Sequence, residues 1–185
     1  MASQLGRTPA NEREVVEITA LTGGLILRLK SWERTEEQQS VALAGQQLRA
    51  DVGTSVVAGA MRVLCIGPSE WLVVAKTRVD PHALNVIERE LATQSVALAD
   101  LSDGLRGFCI EASHARELLS KGCGLDFHAD RFPVGRCACT RLAQIPAVID
   151  CVDGSSRFEI YVARSHGDYL SAWLRDAAAE WRDGS

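Results

Sequence analysis

From Met61 onward, two short apolar runs and then one helical run follow each other about three times. That rhythm restricts the fold more than any single motif. "MRVLCIG" (61–67) and "EWLVVAK" (70–76) flank Pro68-Ser69, the pattern of a hairpin. Asp80 then offers an N-cap and Pro81 a first helical position, with Leu84, Ile87 and Leu91 at helical spacing. "SVALADLS" (95–102) and "RGFCIEA" (106–112) flank the tight turn Asp103-Gly104, again a hairpin pattern. Ser113 reads as the cap of a short helix that carries Ala115, Leu118 and Leu119 on one face and stops at Gly122. After the long loop 122–136, "CACTRLAQ" (137–144), "IPAVIDC" (145–151) and "RFEIYVA" (157–163) read as strands. In the last of these, Phe158, Ile160 and Val162 point one way, and Arg157, Glu159 and Tyr161 the other. Ser165 and Asp168 form a box-like cap on a final helix. Its stripe is Tyr169, Trp173, Ala177 and Trp181, with Leu170 and Leu174 beside it.

Hairpins alternating with helices predict an α+β fold: antiparallel sheets with helices packed on one face, built from strand–strand–helix units. The start of the chain is less regular. "EVVEITA" (14–20) and "GGLILRLK" (23–30) read as a strand pair joined by a Gly-rich turn, and residues 31–60 are weakly patterned. "ERTEEQQS" (33–40) is charged and reads as exposed. Residues 1–13 read as a flexible arm, and 14–185 as a single domain.

Composition excludes several function classes. Apolar residues make up 46% of the 185, enough for a core, and the net charge of -4 gives no pull toward nucleic acid or anionic membrane. No apolar run reaches the ~20 residues of a membrane helix, and the polar start does not resemble a secretory signal. A cytoplasmic protein is expected. Its six cysteines then read as reduced, buried side chains such as Cys65 and Cys109 among apolar neighbours.

Cys123, His128, Cys137 and Cys139 fall within seventeen residues and raise the question of zinc. Structural zinc sites place two cysteines two to four residues apart and add a second pair. Here one residue separates Cys137 from Cys139, and no second compact pair exists, so no metal is expected. Arg136 and Arg141 flank the cysteines and would lower a thiol pKa, but a nucleophile also needs a placed base. Neither "GPSEW" nor "SKGCGLD" matches a phosphate-binding loop. Asp100, Asp103 and Glu111 lie near a turn, where Asp commonly serves local hydrogen bonds, and Asp126 and Asp130 flank His128 in a polar loop. Trp71 opens a strand and reads as core.

Three longer stretches carry a resemblance. "GPSEWLVVA" (67–75), "ADLSDGLRGFCIEASHARELLSKGCGLDFHADRFPVGRCACTRLAQIPAVI" (99–149) and "FEIYVARSHGDYLSAWLRDAAAEW" (158–181) together resemble the gamma subunit of heterotetrameric sarcosine oxidase. Their order and spacing hold across most of residues 61–181. Relatives often carry proline after the histidine of "LDFH", where this chain has Ala129. The resemblance implies a fold like the folate-binding domain of aminomethyltransferases. It also implies a non-catalytic accessory subunit of a complex that oxidatively demethylates sarcosine to glycine and passes the one-carbon unit to tetrahydrofolate. FAD, FMN, NAD, zinc and tetrahydrofolate are then expected in the other chains, and none in this one. The expected partners are the alpha, beta and delta subunits, with this chain packed against the largest. Under that implication the cysteines are packing residues behind the Pro133-Val134-Gly135 turn.

Two rival readings stand beside it. One is the equivalent subunit of a complex acting on another N-methyl amino acid. The other is a free-standing folate-binding aminomethyltransferase-like protein, for which Asp100 or Asp103 is the available carboxylate. For the accessory reading, Phe127 and Phe132 in the polar loop, Arg136 beside it and Trp181 at the chain end are the expected partner contacts.

Overall fold

A computed structural model describes residues 16–32, 40–76, 81–154 and 157–182. The arm at 1–13, the cap at Asp80 and most of the charged run at 33–40 lie outside the described residues.

Among the described residues twelve strands appear in order: β1 (Glu17–Leu21), β2 (Leu25–Ser31), β3 (Ser40–Leu43), β4 (Gln46–Arg49), β5 (Ser55–Ala58), β6 (Met61–Gly67), β7 (Glu70–Ala75), β8 (Val96–Asp100), β9 (Leu105–Glu111), β10 (Cys137–Leu142), β11 (Ile145–Asp153) and β12 (Arg157–Ala163). Among the described residues four α-helices punctuate them: α1 (Pro81–Leu91), α2 (Ala115–Ser120), α3 (Gly167–Ala177) and α4 (Ala179–Arg182). One five-stranded sheet has the order β1-β9-β12-β11-β10, the other β5-β6-β7-β2-β8, and β3-β4 form a separate hairpin. The registered pairs within the sheets are antiparallel, so the expected α+β class holds.

The two sheets pack face to face through Ile26, Leu64, Leu72 and Val74 on one side and Cys137 and Tyr161 on the other. The outer face of the first sheet is covered by α2, α3 and the loop before β10; there Phe108, Ile110, Phe158 and Ile160 meet Leu118, Leu119, Leu170 and Leu174. The outer face of the second sheet is covered by α1 and the β3-β4 hairpin; Leu27, Leu29 and Val73 meet Ile87, Leu91, Val41 and Leu43. Strand β7 therefore has apolar matter on both faces, which is why "EWLVVA" is almost continuously hydrophobic. Trp71 sits in that core as expected, its indole N–H donating to the Arg49 carbonyl at 3.1 Å.

Among the described residues five consecutive strand pairs form hairpins, β3-β4, β5-β6, β6-β7, β10-β11 and β11-β12, and local turn chemistry accounts for two of them directly. Ala44-Gly45 and Ala143-Gln144 close β3-β4 and β10-β11 with both turn residues at positive φ, the two-residue geometry that matches strand twist. β6 and β7 pair as the sequence predicts. The Asp103-Gly104 turn behaves differently. β8 pairs with β2 in the second sheet, and β9 pairs with β1 and β12 in the first. The turn is a corner between sheets, not the head of a hairpin. The same correction applies to β1 and β2, which also divide between the sheets.

The helix ends differ from expectation. α2 starts after His114 with no side-chain cap, so Ser113 does not cap it. A 3-10 turn, Arg164–His166, leads into α3, again without a side-chain cap, and Asp168 pairs with Arg106 at 2.6 Å instead. Gly122 is not in the left-handed conformation of a helix stop. A Cβ there would meet the Trp173 ring at 2.4 Å, so the glycine exists to let that indole approach. The buried stripe of the final helix is Gly167, Leu170, Leu174 and Ala178, while Tyr169 is exposed. The stripe read from sequence was one position out of phase.

Candidate functional site

At one end of the inter-sheet layer the packing opens into a cavity of about 430 Å³. Strand alternation places its polar groups. Arg157, Glu159 and Tyr161 share the face of β12 opposite Phe158 and Ile160, as expected, but that face looks into the second sheet and not into water. Glu159 is 1% exposed. Its Oε2 accepts from the Tyr161 hydroxyl at 2.7 Å. Its Oε1 lies 3.6 Å from the Arg157 guanidinium and 3.9 Å from Lys76 Nζ, and no group among the described residues donates a hydrogen bond to it. An unmade bond to a buried acceptor costs on the order of 1–3 kcal/mol. Burial, and next the neighbouring Glu159 carboxylate, push the Tyr161 phenol well above its ordinary range, so it remains a neutral donor.

Beside it, in register on β11, Asp150 is fully buried and completely satisfied. Arg62 Nε donates to Asp150 Oδ2 at 2.7 Å, an Arg62 terminal nitrogen to Oδ1 at 3.1 Å, and Ser55 Oγ to Oδ1 at 2.5 Å. This fork ties β5 and β6 of one sheet to β11 of the other. Sequence reading did not single out Asp150, Glu159 or Arg62. The signal available was an acidic residue inside each of two strongly apolar strands.

The cysteines separate. Cys137 and Cys139 point toward the second sheet: Cys137 Sγ lies 3.2 Å from the Thr54 carbonyl, and Cys139 Sγ 3.4 Å from that of Ile66. Burial pushes the Cys137 thiol up to about 12, away from any reactive thiolate. Cys123 sits near Thr140, and His128 is exposed beside Asp130. Among the described residues no three His, Cys, Asp or Glu side chains converge as a metal site. The Pro133–Arg136 turn takes the expected form, with Gly135 at φ 79° and the Arg136 amide donating to the Pro133 carbonyl.

Asp100 caps the amide of Ser102, and Asp103 faces Arg164 at 3.6 Å; both are exposed, and neither lines the cavity. Phe127 and Phe132 need correction as partner contacts. They are 2% and 5% exposed and pack edge-on to each other, with Phe158 beneath. Arg116, which sequence reading passed over, holds them there by donating to the carbonyls of both Phe127 and Phe132 and to that of Gly154, its guanidinium over the Phe158 ring. Arg136 is exposed, its guanidinium against Gly53. Trp181 is half-buried, stacked on His114 with Lys121 Nζ 4.2 Å from its ring centre.

With this geometry in view, comparison with known proteins is specific. The sarcosine oxidase, gamma subunit family matches residues 39–180. Sarcosine oxidase subunit gamma from Corynebacterium sp. (strain U-96) is 32% identical over 143 residues, covering 76% of this chain and 67% of that protein. A chain of the heterotetrameric sarcosine oxidase from Corynebacterium sp. U-96, solved in complex with pyrrole 2-carboxylate, superposes with a TM-score of 0.78 at 28% identity, over 91% of this chain and 89% of the other. Glycine cleavage system aminomethyltransferase T from Bartonella henselae shares the fold, with a TM-score of 0.66 at 14% identity over 88% of this chain and 46% of that one. The paired antiparallel sheets, and the match running from β3 to α4, agree with what the three sequence stretches implied: this chain belongs to the sarcosine oxidase gamma subunit family.

Proposed function

We propose that this chain is an accessory subunit, without an active site of its own, of a heterotetrameric oxidase that demethylates sarcosine to glycine. The observation that carries this reading is the fold match at 28% identity over 91% of the chain to a heterotetrameric sarcosine oxidase. In this reading alpha, beta and delta subunits are the partners. FAD, FMN, NAD, zinc and tetrahydrofolate reside in those chains, and tetrahydrofolate accepts the one-carbon unit. Residues 14–185 act as one domain, a reading supported by the apolar layer between the sheets. Six unpaired cysteines suit a reducing, cytoplasmic setting.

Contact with the large subunit is assigned to the surface around Arg136 and to the Trp181 end. The Arg136 turn lies against β5, an edge strand, and Val52, Val56, Val57 and Val134 nearby are each about half exposed or more, at 45–56%. Exposed valines along a sheet edge favour cover by a partner. Phe127 and Phe132 act behind this surface by shaping the loop. Co-expression of the complex with and without this chain tests the reading. The expected result is loss of assembly or of flavin retention in its absence. An oxidase that assembles without it, keeps its flavins and turns over sarcosine at full rate and thermal stability refutes the accessory role. Arg136→Ala and Trp181→Ala, each folded but poorly co-purifying, are expected to locate the contact.

A further inference from the structure

Strand β8 is the edge of the second five-stranded sheet opposite β5, and among the described residues no strand pairs with its outer side. We propose that this edge takes an extended segment of a partner chain as a sixth strand, one that carries carboxylates on either side of an apolar residue. The ladder with β2 assigns the backbone groups. The Trp32 amide donates to the Ser95 carbonyl, and the Leu101 amide to that of Ile26. In that register Ser95, Ala97, Ala99 and Leu101 bond to β2, so Leu98 and Asp100 aim their N–H and C=O groups outward. Edges that stay unpaired are commonly blunted by a bulge, a proline or a row of charges. β8, "VALAD", keeps a regular register throughout and carries one charge, at its end.

The side chains select the segment. Val96 and Leu98 pack on the face covered by α1, while Ala97 and Ala99 lie on the other face and are exposed. Directly across on β2 stand Lys30 and Arg28, each with half its side chain in solvent. Both bond one carboxylate, Glu70, at 3.1 and 2.6 Å, so among the described residues two cations share one counter-ion. An added strand lies about 4.8 Å beyond β8, and its residues opposite Ala97 and Ala99 share their face. A methyl side chain leaves room for a carboxylate to reach over it to Arg28 and Lys30. The residue between the two carboxylates faces the side of Leu98 and is apolar. A second copy of β8 does not meet these demands: paired antiparallel about Leu98, it brings Ala97 opposite Ala99 and no carboxylate to the cations. That the segment belongs to another subunit rests on the accessory reading above; the pairing chemistry does not.

The acetylated and amidated peptide Thr-Glu-Val-Glu-Thr matches Val96–Asp100 in length and is the probe. It is titrated into the full-length chain while the amides of Leu98 and Asp100 are followed by NMR. Both are expected to shift saturably at millimolar peptide. Thr-Gln-Val-Gln-Thr is expected to bind at least about threefold more weakly. The glutamate peptide with its valine nitrogen methylated loses the donor to the Leu98 carbonyl, and is expected to bind at least about tenfold more weakly. Arg28→Gln with Lys30→Gln is expected to lower the glutamate peptide to the level of the glutamine one, with the circular dichroism spectrum unaltered. No saturable shift, equal binding of the glutamate and glutamine peptides, or equal binding of the methylated peptide would each overturn the proposal. In a co-purified complex the Leu98 and Asp100 amides are expected to exchange at least about tenfold more slowly than in the free chain. A complex that assembles while both exchange as in the free chain overturns the inference and leaves the accessory role standing. A free chain that dimerises with these amides protected assigns the edge to a second copy and overturns it as well. The peptide titrations need no oxidase, so they decide the pairing even where the accessory reading fails.

Discussion

At the scale of single residues, the structure turns on a few positions where chemistry and space leave no alternative. Asp150 is one. It is fully buried, and three donors hold it: two from Arg62 and one from Ser55. Asp150→Ala would leave the Arg62 guanidinium, itself only 14% exposed, without its counter-ion. Removing one partner of a buried pair costs about 3–5 kcal/mol, far more than the net contribution of the intact pair. Urea unfolding is expected to show that loss, while Asp150→Asn, which keeps an acceptor, loses less. Gly122 is the other. A methyl there would collide with the Trp173 ring at 2.4 Å and crowd the Ala143 amide at 3.2 Å. Gly122→Ala is expected to destabilise by about 1–3 kcal/mol through overpacking, with a changed Trp fluorescence spectrum as the side chain shifts. The sequence shows a glycine after a helix, which suggests a stop signal. The actual reason, an aromatic ring from a helix fifty residues away, is not a local property.

At the scale of elements, the turn chemistry is legible and the pairing only in part: β6 and β7 pair as read, while β8-β9 and β1-β2 do not. Asp103-Gly104 reverses the chain as read, with the amides of Gly104 and Leu105 both donating to the Leu101 carbonyl. A turn determines direction over a few residues, but the partner of each strand depends on which distant strand completes its sheet. β8 and β9 separate: β8 pairs with β2 over its whole length, and β9 lies between β12 and β1. The site was partly legible for the same reason. Period-two alternation puts Arg157, Glu159 and Tyr161 on one face, but it carries no sign that the second sheet stands against that face. The loop 122–136 shows how one side chain organises an element. Its two aromatic residues are held by Arg116, through hydrogen bonds from the guanidinium to the Phe127 and Phe132 carbonyls. Arg116→Met keeps much of the apolar stem over Phe158 but removes those donors. It is expected to lower amide-exchange protection across residues 123–135 by at least about tenfold, with β6 and β7 unchanged.

At the scale of the whole molecule, stacking two sheets with cover on both outer faces leaves many ionisable groups in dry surroundings, and this determines how the protein responds to alkali. Burial pushes the thiols of Cys65, Cys109, Cys137 and Cys151 above their ordinary value near 9, Cys137 to about 12. Burial, reinforced by Glu159, likewise pushes the Tyr161 phenol up. In the unfolded chain these groups ionise from about pH 9 to 10; in the native protein they stay protonated. The unfolded state then binds fewer protons, so stability falls as pH rises. The contribution is fully present at neutral pH, begins to fall near pH 9, and for Cys137 is lost through about 12. Guanidinium unfolding at intervals from pH 7 to 10.5 in reducing buffer is expected to give a midpoint that is nearly flat up to about 8.5 and falls thereafter. Cys137→Ala and Tyr161→Phe each remove one ionisation, and their double variant is expected to show a shallower decline than the parent at the same pH values. A parent midpoint that holds steady to pH 10.5 would mean that the inter-sheet layer admits enough water to let these groups ionise in place, contrary to the packing described.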